Sequence, residues 1–93
     1  MTNKTKSTIS FNKELLRKDI KRLINIFGGA SKFQNVLFDK AYELSGLYEI
    51  GDELIPSALA ISEYKTRRTP KTIFILFLAF LFPNDIKLDS YII

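Results

Sequence analysis

The sequence predicts an all-α fold of four to five short helices in a single domain. Apolar residues recur at three- and four-residue spacings over most of the chain, which places them on one face of a helix. Glycine and proline residues divide these stretches into segments of helix length. The 93 residues are 46% hydrophobic and 13% aromatic, which is enough apolar material for a small core.

The first nine residues differ from the rest of the chain. They are rich in Thr, Ser and Lys, and no apolar region follows them as it would in a secretory signal. We therefore expect a flexible polar N-terminus over residues 1–9, a single helical domain over residues 10–93, and a cytoplasmic location.

The first helix is amphipathic and basic. Its apolar positions are Phe11, Leu15, Leu16, Ile20, Leu23, Ile24 and Phe27. Ser10 or Asn12 is placed to cap this helix, and Gly28-Gly29 ends it. Its outer face carries Lys13, Arg17, Lys18, Lys21 and Arg22. A face of this kind fits phosphate groups, an anionic membrane surface or plain solvation, and the pattern does not separate the three.

The second helix is predicted between Ser31, as its N-cap, and Gly46, as its C-terminal stop. The apolar residues expected to face the core are Phe33, Val36, Leu37, Ala41 and Leu44. Phe38 and Tyr42 widen this stripe, which predicts that the helix packs on more than one side.

A different pattern follows the second helix. Ile50 and Gly51 form an apolar–small pair, Leu54 precedes a turn, and Ser57 is placed to cap the next helix. Further positions of the pattern are Ile61, Ser62, Tyr64, the run Arg67-Arg68-Thr69-Pro70, Leu78-Ala79 and Leu81. With these positions, residues 33–88 resemble the helix-turn-helix domain of the Cro/C1 (Xre-like) repressor class. The resemblance implies a helix-turn-helix core behind an extra basic N-terminal helix, with double-stranded DNA as the partner.

The chain departs from this class at the turn and at the reading helix. Ile55-Pro56 stands where the class has its turn glycine, so the turn must have another shape. Ala58, Leu59 and Ala60 stand where the class presents polar side chains to base edges. Small apolar side chains contact a thymine methyl but do not read donors and acceptors, so we expect weak base readout. A surface of this kind also suits contact with another protein.

The segment after Tyr64 is the most basic stretch of the chain. Lys65, Arg67, Arg68 and Lys71 fall within seven residues, interleaved with threonine hydroxyls. Such a loop is typical of phosphate contacts. Thr69 as N-cap and Pro70 at the first helical position predict that the last helix starts here.

The last helix, residues 70–82, is apolar on nearly every side. Its apolar run over residues 72–82 spans about 16 Å as a helix, roughly half the thickness of a bilayer core, so a buried helix is expected rather than a membrane span. A chain of this size does not readily cover such a helix, which predicts that Phe77 or Phe80, or both, lie in an interface or are completely buried. The C-terminal segment adds further apolar residues, either in a short closing helix or in a tail that docks on a partner, namely Ile86, Leu88, Tyr91, Ile92 and Ile93. Ile92 and Ile93 are also predicted interface residues.

Missing residue types exclude several chemistries. The chain has no Cys and no His, so it has no disulfide, no Cys/His zinc site, no thiol nucleophile and no imidazole base. Its carboxylates have the spacing of exposed helix faces, and Gly28-Gly29 lacks the residues of a phosphate loop. We expect no enzyme activity, cofactor, metal or small-molecule substrate.

Positive charge is concentrated in two blocks. Residues 1–22 hold seven Lys or Arg against two acids, and residues 62–72 hold four against one. Residues 23–61 hold only two against five. If the fold brings the two blocks together, they form one phosphate-facing surface. The predicted nucleic-acid-binding residues are Lys65, Thr66, Arg67, Arg68, Lys71, Ser57, Ala58, Ser62, Lys13, Arg17 and Lys21.

Two functions fit these patterns. The first is a small transcription regulator that binds double-stranded DNA through phosphate contacts, as a homodimer or beside another transcription protein. The second is a protein-interaction adaptor or inhibitor that keeps a helix-turn-helix scaffold without reading DNA. The charge blocks favour the first, and Ala58-Leu59-Ala60 favours the second.

Overall fold

The computed structural model describes residues 11–46 and 54–92. These ranges contain helices α1 (Lys13–Ile26), α2 (Ala30–Ser45), α3 (Ala58–Glu63) and α4 (Thr72–Leu81), followed by a 3₁₀ helix (Leu88–Tyr91). The predicted all-α class is confirmed. The expected flexible N-terminus, the Ile50-Gly51 pair and Ile93 lie outside the described residues.

Helix α1 begins and ends where its local signals place it. The Asn12 side chain accepts a hydrogen bond from the Leu15 N–H at 3.0 Å, which confirms Asn12 as the cap. The chain leaves the helix through Gly28 and Gly29, both with positive φ. Phe11 is not part of the helical stripe. It lies before the cap, exposed, and pairs with Ile92 in an isolated antiparallel bridge.

Helix α2 starts earlier than predicted. Gly29, with φ 124°, occupies the N-cap position, and Ser31 lies inside the first turn with an exposed side chain. The reason is that the glycine turn out of α1 leads directly into α2, which leaves no room for a separate cap. Gly46 ends the helix in the left-handed conformation, as expected, and its N–H donates to the Tyr42 carbonyl at 2.7 Å.

The inward face of α2 is shorter than its apolar pattern. Phe33, Leu37 and Ala41 are buried, whereas Leu44 is exposed, contrary to the prediction. Residues 42–46 are all exposed, so the last turn of α2 extends beyond the elements that cover Phe33 and Leu37.

Helix α3 has the predicted cap, but α4 does not. The Ser57 hydroxyl accepts from the Ala60 N–H at 3.1 Å. Helix α4 begins at Thr72 rather than Pro70, with Lys71 at the cap position and no side-chain hydrogen bond there. Pro70 is buried and Lys71 is extended, so packing of the proline delays the helix by two residues. At the other end, residue 82 lies just outside the helix.

The C-terminal residues form a closing helix on α1. Tyr91 is fully buried, and its hydroxyl donates to Asp19 Oδ2 at 2.7 Å. Asp19 is also paired with Arg22 at 3.0 Å, and Arg22 in turn donates to the Asp85 carbonyl at 3.3 Å. Of the two predicted alternatives, residues 88–91 form the closing helix and not a docking tail.

The core lies between α1, α2, α3 and α4. Its largest fully buried apolar side chains, besides Tyr91, are Phe33, Phe74, Leu16, Ile20, Leu23, Ile24, Leu37, Ile61, Leu78 and Ile86. Aromatic rings of Phe27, Phe33 and Phe82 contact one another near the α1–α2 turn. None of the helices within residues 11–46 and 54–92 has the length and apolar character needed to cross a membrane.

Candidate nucleic-acid interface

The basic face of α1 and the basic loop after α3 lie side by side. A surface depression is lined by Arg17, Lys18 and Lys21 of α1 together with Lys65 of the loop. Among the described residues, Glu14, one turn before Lys18, is the only acid on its wall. Residues separated by more than forty positions thus contribute cations to one surface, which we call the cationic face.

A narrow cleft adjoins the cationic face. Lys13 and Arg17 form one side of it, and Arg68 and Thr69 form the other. Its volume of about 10 Å³ holds roughly one water molecule. The Arg17 Nε is buried at this point and makes no hydrogen bond within the described part of the chain. A buried guanidinium N–H without a protein partner is a donor left for water or for an anion at the mouth of the cleft.

Glu63 is the counter-charge of the loop. Its carboxylate contacts the guanidinium of Arg67 and lies 3.4 Å from that of Arg68. The hydrogen bond from Arg67 holds the pKa of the Glu63 carboxyl below its usual value, and both arginine charges add to this effect against partial desolvation. Lys65 and Lys71 make no ion pair within residues 11–46 and 54–92. The loop therefore keeps a net positive charge after this pairing.

Tyr64 joins the loop to the core. Its ring is buried beside Phe74, at a centroid distance of 5.8 Å. Burial raises the pKa of its phenol, although the charge of nearby Arg68 opposes the shift. Because Tyr64 is anchored, the residues that follow it are held against α1.

The predicted binding residues fall into two groups. The structure brings together Lys13, Arg17, Lys21, Lys65 and Arg68 along the cationic face and its cleft. The others lie elsewhere, namely Thr66 and Arg67 in the exposed turn, Lys71 at the N-cap of α4, Ser57 at the N-cap of α3, and Ala58 and Ser62 on α3. Sequence reasoning left Lys18 out of the site, although its place next to Arg17 on the basic face was a usable signal.

The expected reading helix is short and presents an apolar side chain. Leu59 of α3 is 70% exposed, whereas Ala60 is buried and Ala58 is half-buried. Ser57 uses its hydroxyl to cap α3. The Leu59 side chain has no group that can donate to or accept from a base edge.

Helix α4 carries an exposed apolar stripe on the side away from the core. Phe74, Ile75 and Leu78 are buried, and Phe77 is half-buried and packs on the core. The exposed stripe consists of Ile73, Leu76 and Phe80. Their spacing of three and four residues places them on one face of the helix, and Phe80 is 69% exposed.

Comparison with protein-family models, with curated proteins and with solved structures gave no match to this chain. The likeness to the Cro/C1 class thus rests on the sequence positions within residues 33–88 that were given above.

Proposed function

We propose that the protein is a small cytoplasmic transcription regulator that binds double-stranded DNA mainly through its phosphates. The observation that supports this function is the meeting of Lys65 with Arg17, Lys18 and Lys21 on one cationic face. Phosphate contacts position a protein on a duplex without reading its sequence. An α3 that presents Leu59 outward fits such a mode of binding.

The concentrated positive charge of the cationic face favours binding to a polyanion. Like charges held close together repel one another in the free protein, and this repulsion is relieved when phosphates lie between them. The face and its cleft provide six cations, namely Lys13, Arg17, Lys18, Lys21, Lys65 and Arg68. Glu14 and Glu63 offset part of that charge. Contact with about four to six phosphates is the expected result.

A salt series tests this function. Fluorescence anisotropy of a labelled duplex of random sequence would be measured between about 50 and 200 mM salt, where counterion release dominates the affinity. The logarithm of the binding constant should fall with the logarithm of salt concentration with a slope of about −4 to −5. Absence of any binding at the lowest salt and micromolar protein would exclude DNA as the partner.

A protein-interaction adaptor or inhibitor is the second candidate function. It is favoured by the exposed Leu59 of α3 and by the apolar stripe Ile73, Leu76 and Phe80 of α4. Three exposed apolar side chains cover on the order of 300 Å², well short of the roughly 800 Å² per partner of a standard interface. A homodimer or a complex with another transcription protein would therefore need further contacts beside this stripe.

A further inference from the structure

A second cleft lies between the start of α3 and the start of α4. Its volume is about 320 Å³, at the lower end of the range for small-molecule sites. The apolar part of its wall is formed by Ile55, Ala60, Tyr64 and Phe74, all of which are buried side chains of the core. The cleft is thus an opening into the core and not a feature of surface side chains alone.

Positive charge lines the rim of this cleft. Arg68 and Lys71 lie on its wall beside the Thr69 hydroxyl. Lys71 has no ion-pair partner within the described residues. Arg68 shares Glu63 with Arg67, and its side chain remains 54% exposed. An apolar wall with two available cations at its edge matches a ligand that has an apolar body and a negative group.

We propose that this cleft binds a small amphipathic anion, with an apolar body of about a dozen non-hydrogen atoms against Tyr64 and Phe74. The negative group of the ligand is held by Arg68 and Lys71. A neutral ligand of the same shape makes no charge-assisted contact with either cation and therefore binds more weakly. If the proposed DNA binding is correct, a ligand that occupies Arg68 also competes with a phosphate at that residue.

The test uses 2-naphthoate as the probe and 2-naphthamide as its neutral counterpart. Each would be titrated into the full-length, ¹⁵N-labelled protein, and amide chemical shifts would be followed by NMR. No DNA is present, so the result is independent of the proposed function. For a ligand of about 13 non-hydrogen atoms, we expect saturable binding of naphthoate with a Kd on the order of 1 mM. The largest shifts should fall on Ala60, Tyr64, Arg68 and Ile73.

Variants separate the cleft from the rest of the surface. The double variant Arg68→Ala/Lys71→Ala should weaken naphthoate binding about tenfold, as expected for loss of a charge-assisted contact, and leave naphthamide binding unchanged. The matched control Lys32→Ala/Lys40→Ala removes two cations of α2 that do not line the cleft, and should bind like the wild type. Ala60→Leu fills the cleft from α3, and Ile73→Trp covers it from an exposed position, so each should abolish the binding.

Three results would overturn the proposal. One is the absence of saturation by naphthoate at about ten times the expected Kd. Another is equal affinity for naphthoate and naphthamide, which would make the cations irrelevant. The third is a set of shifts centred on Leu76 and Phe80, which would assign the binding to the exposed stripe of α4. Circular dichroism of each variant checks that the fold is kept, and Ile73→Trp provides a blocked cleft should Ala60→Leu fail to fold.

Discussion

Tyr91 shows how much of the C-terminal structure depends on one side chain. It is fully buried, its hydroxyl donates to Asp19, and its carbonyl accepts from the Asn12 N–H at 2.6 Å. Its ring also lies 6.0 Å from that of Phe11, measured between centroids. The same residue therefore ties the N-cap residue of α1 to the C-terminal segment and gives the buried Asp19 carboxylate a hydrogen-bond donor.

We expect Tyr91→Phe to lower the free energy of unfolding by about 1–3 kcal/mol, because the ring is kept while Asp19 loses a donor. Urea denaturation measures the change. In an Asp19→Ala background the same substitution should cost less, since the Tyr91 hydroxyl then has no acceptor at position 19 to lose. An unchanged cost in that background would show that the hydrogen bond is not the cause.

This cost should also depend on pH. Burial, the hydrogen bond to Asp19 and the charge of Asp19 raise the pKa of Tyr91 well above its usual value. A raised folded-state pKa means that the contribution is complete below about pH 10, the ordinary tyrosine pKa, and is lost as pH rises further. The difference in stability between wild type and Tyr91→Phe should therefore shrink above about pH 10. A difference that stays constant there would contradict this assignment.

At the scale of elements, the loop after α3 contains arginines that pair with Glu63 and lysines that make no ion pair within the described residues. Arg67 and Arg68 share the Glu63 carboxylate, and all three side chains lie at or near the surface. Exposed ion pairs contribute little to stability. The two arginines can thus exchange Glu63 for a phosphate without loss of the fold.

We expect Arg67→Ala/Arg68→Ala to weaken binding to all DNA sequences alike and to reduce the steepness of the salt dependence by about one, because Arg68 lines the cleft beside the cationic face and Arg67 does not, with helical content unchanged. Anisotropy and circular dichroism measure the two effects. Glu63→Gln is the matched control, because it frees both arginines and should strengthen DNA binding. Loss of helical content in the double variant would assign the arginines a structural role instead.

Helix α4 contains a buried and an exposed phenylalanine within two turns of each other. Phe74 is buried beside Tyr64, whereas Phe80 lies in the exposed stripe. We expect Phe74→Ala to lower stability by about 3–5 kcal/mol, and Phe80→Ala to leave it nearly unchanged. Urea denaturation measures both.

Sedimentation of the same pair tests the stripe as an interface. If the exposed stripe contacts a second copy, Phe80→Ala should remain folded and associate less than the wild type. A wild type that is monomeric at high concentration and binds no hydrophobic dye would exclude a partner on this face.

At the scale of the whole molecule, charge is distributed unevenly. The net charge is +4, yet six cations of α1 and the basic loop lie together on the cationic face and its cleft. Lys32 and Lys40 of α2 line neither the depression nor its adjoining cleft. The location of a cation, and not the net charge alone, should therefore determine its effect on DNA binding.

We expect Lys18→Ala/Lys65→Ala to reduce the steepness of the salt dependence by about two. Lys32→Ala/Lys40→Ala removes the same charge from α2 and should change the slope far less. Anisotropy over the same salt series compares them. Equal effects of the two pairs would mean that binding responds to net charge and that no cationic face exists.

Local features were predictable from the sequence. The caps at Asn12 and Ser57 and the stop at Gly46 depend on hydrogen bonds or backbone angles within a few residues, so neighbouring sequence contains the necessary information. Most of the buried residues of α1 and α2 followed from the periodicity of their apolar positions. The sequence by itself thus determined the helical class, most helix ends and the two blocks of charge.

The tertiary structure decided which segments meet. The start of α4 moved to Thr72 because Pro70 is buried, and Leu44 is exposed because α2 extends past its cover. Lys65 lies beside α1 because Tyr64 is anchored in the core, and Asp19 finds its donor in Tyr91, 72 residues away. Such contacts depend on how helices pack around a shared core. Spacing along the chain describes one helix at a time, and therefore contains no record of which faces come together.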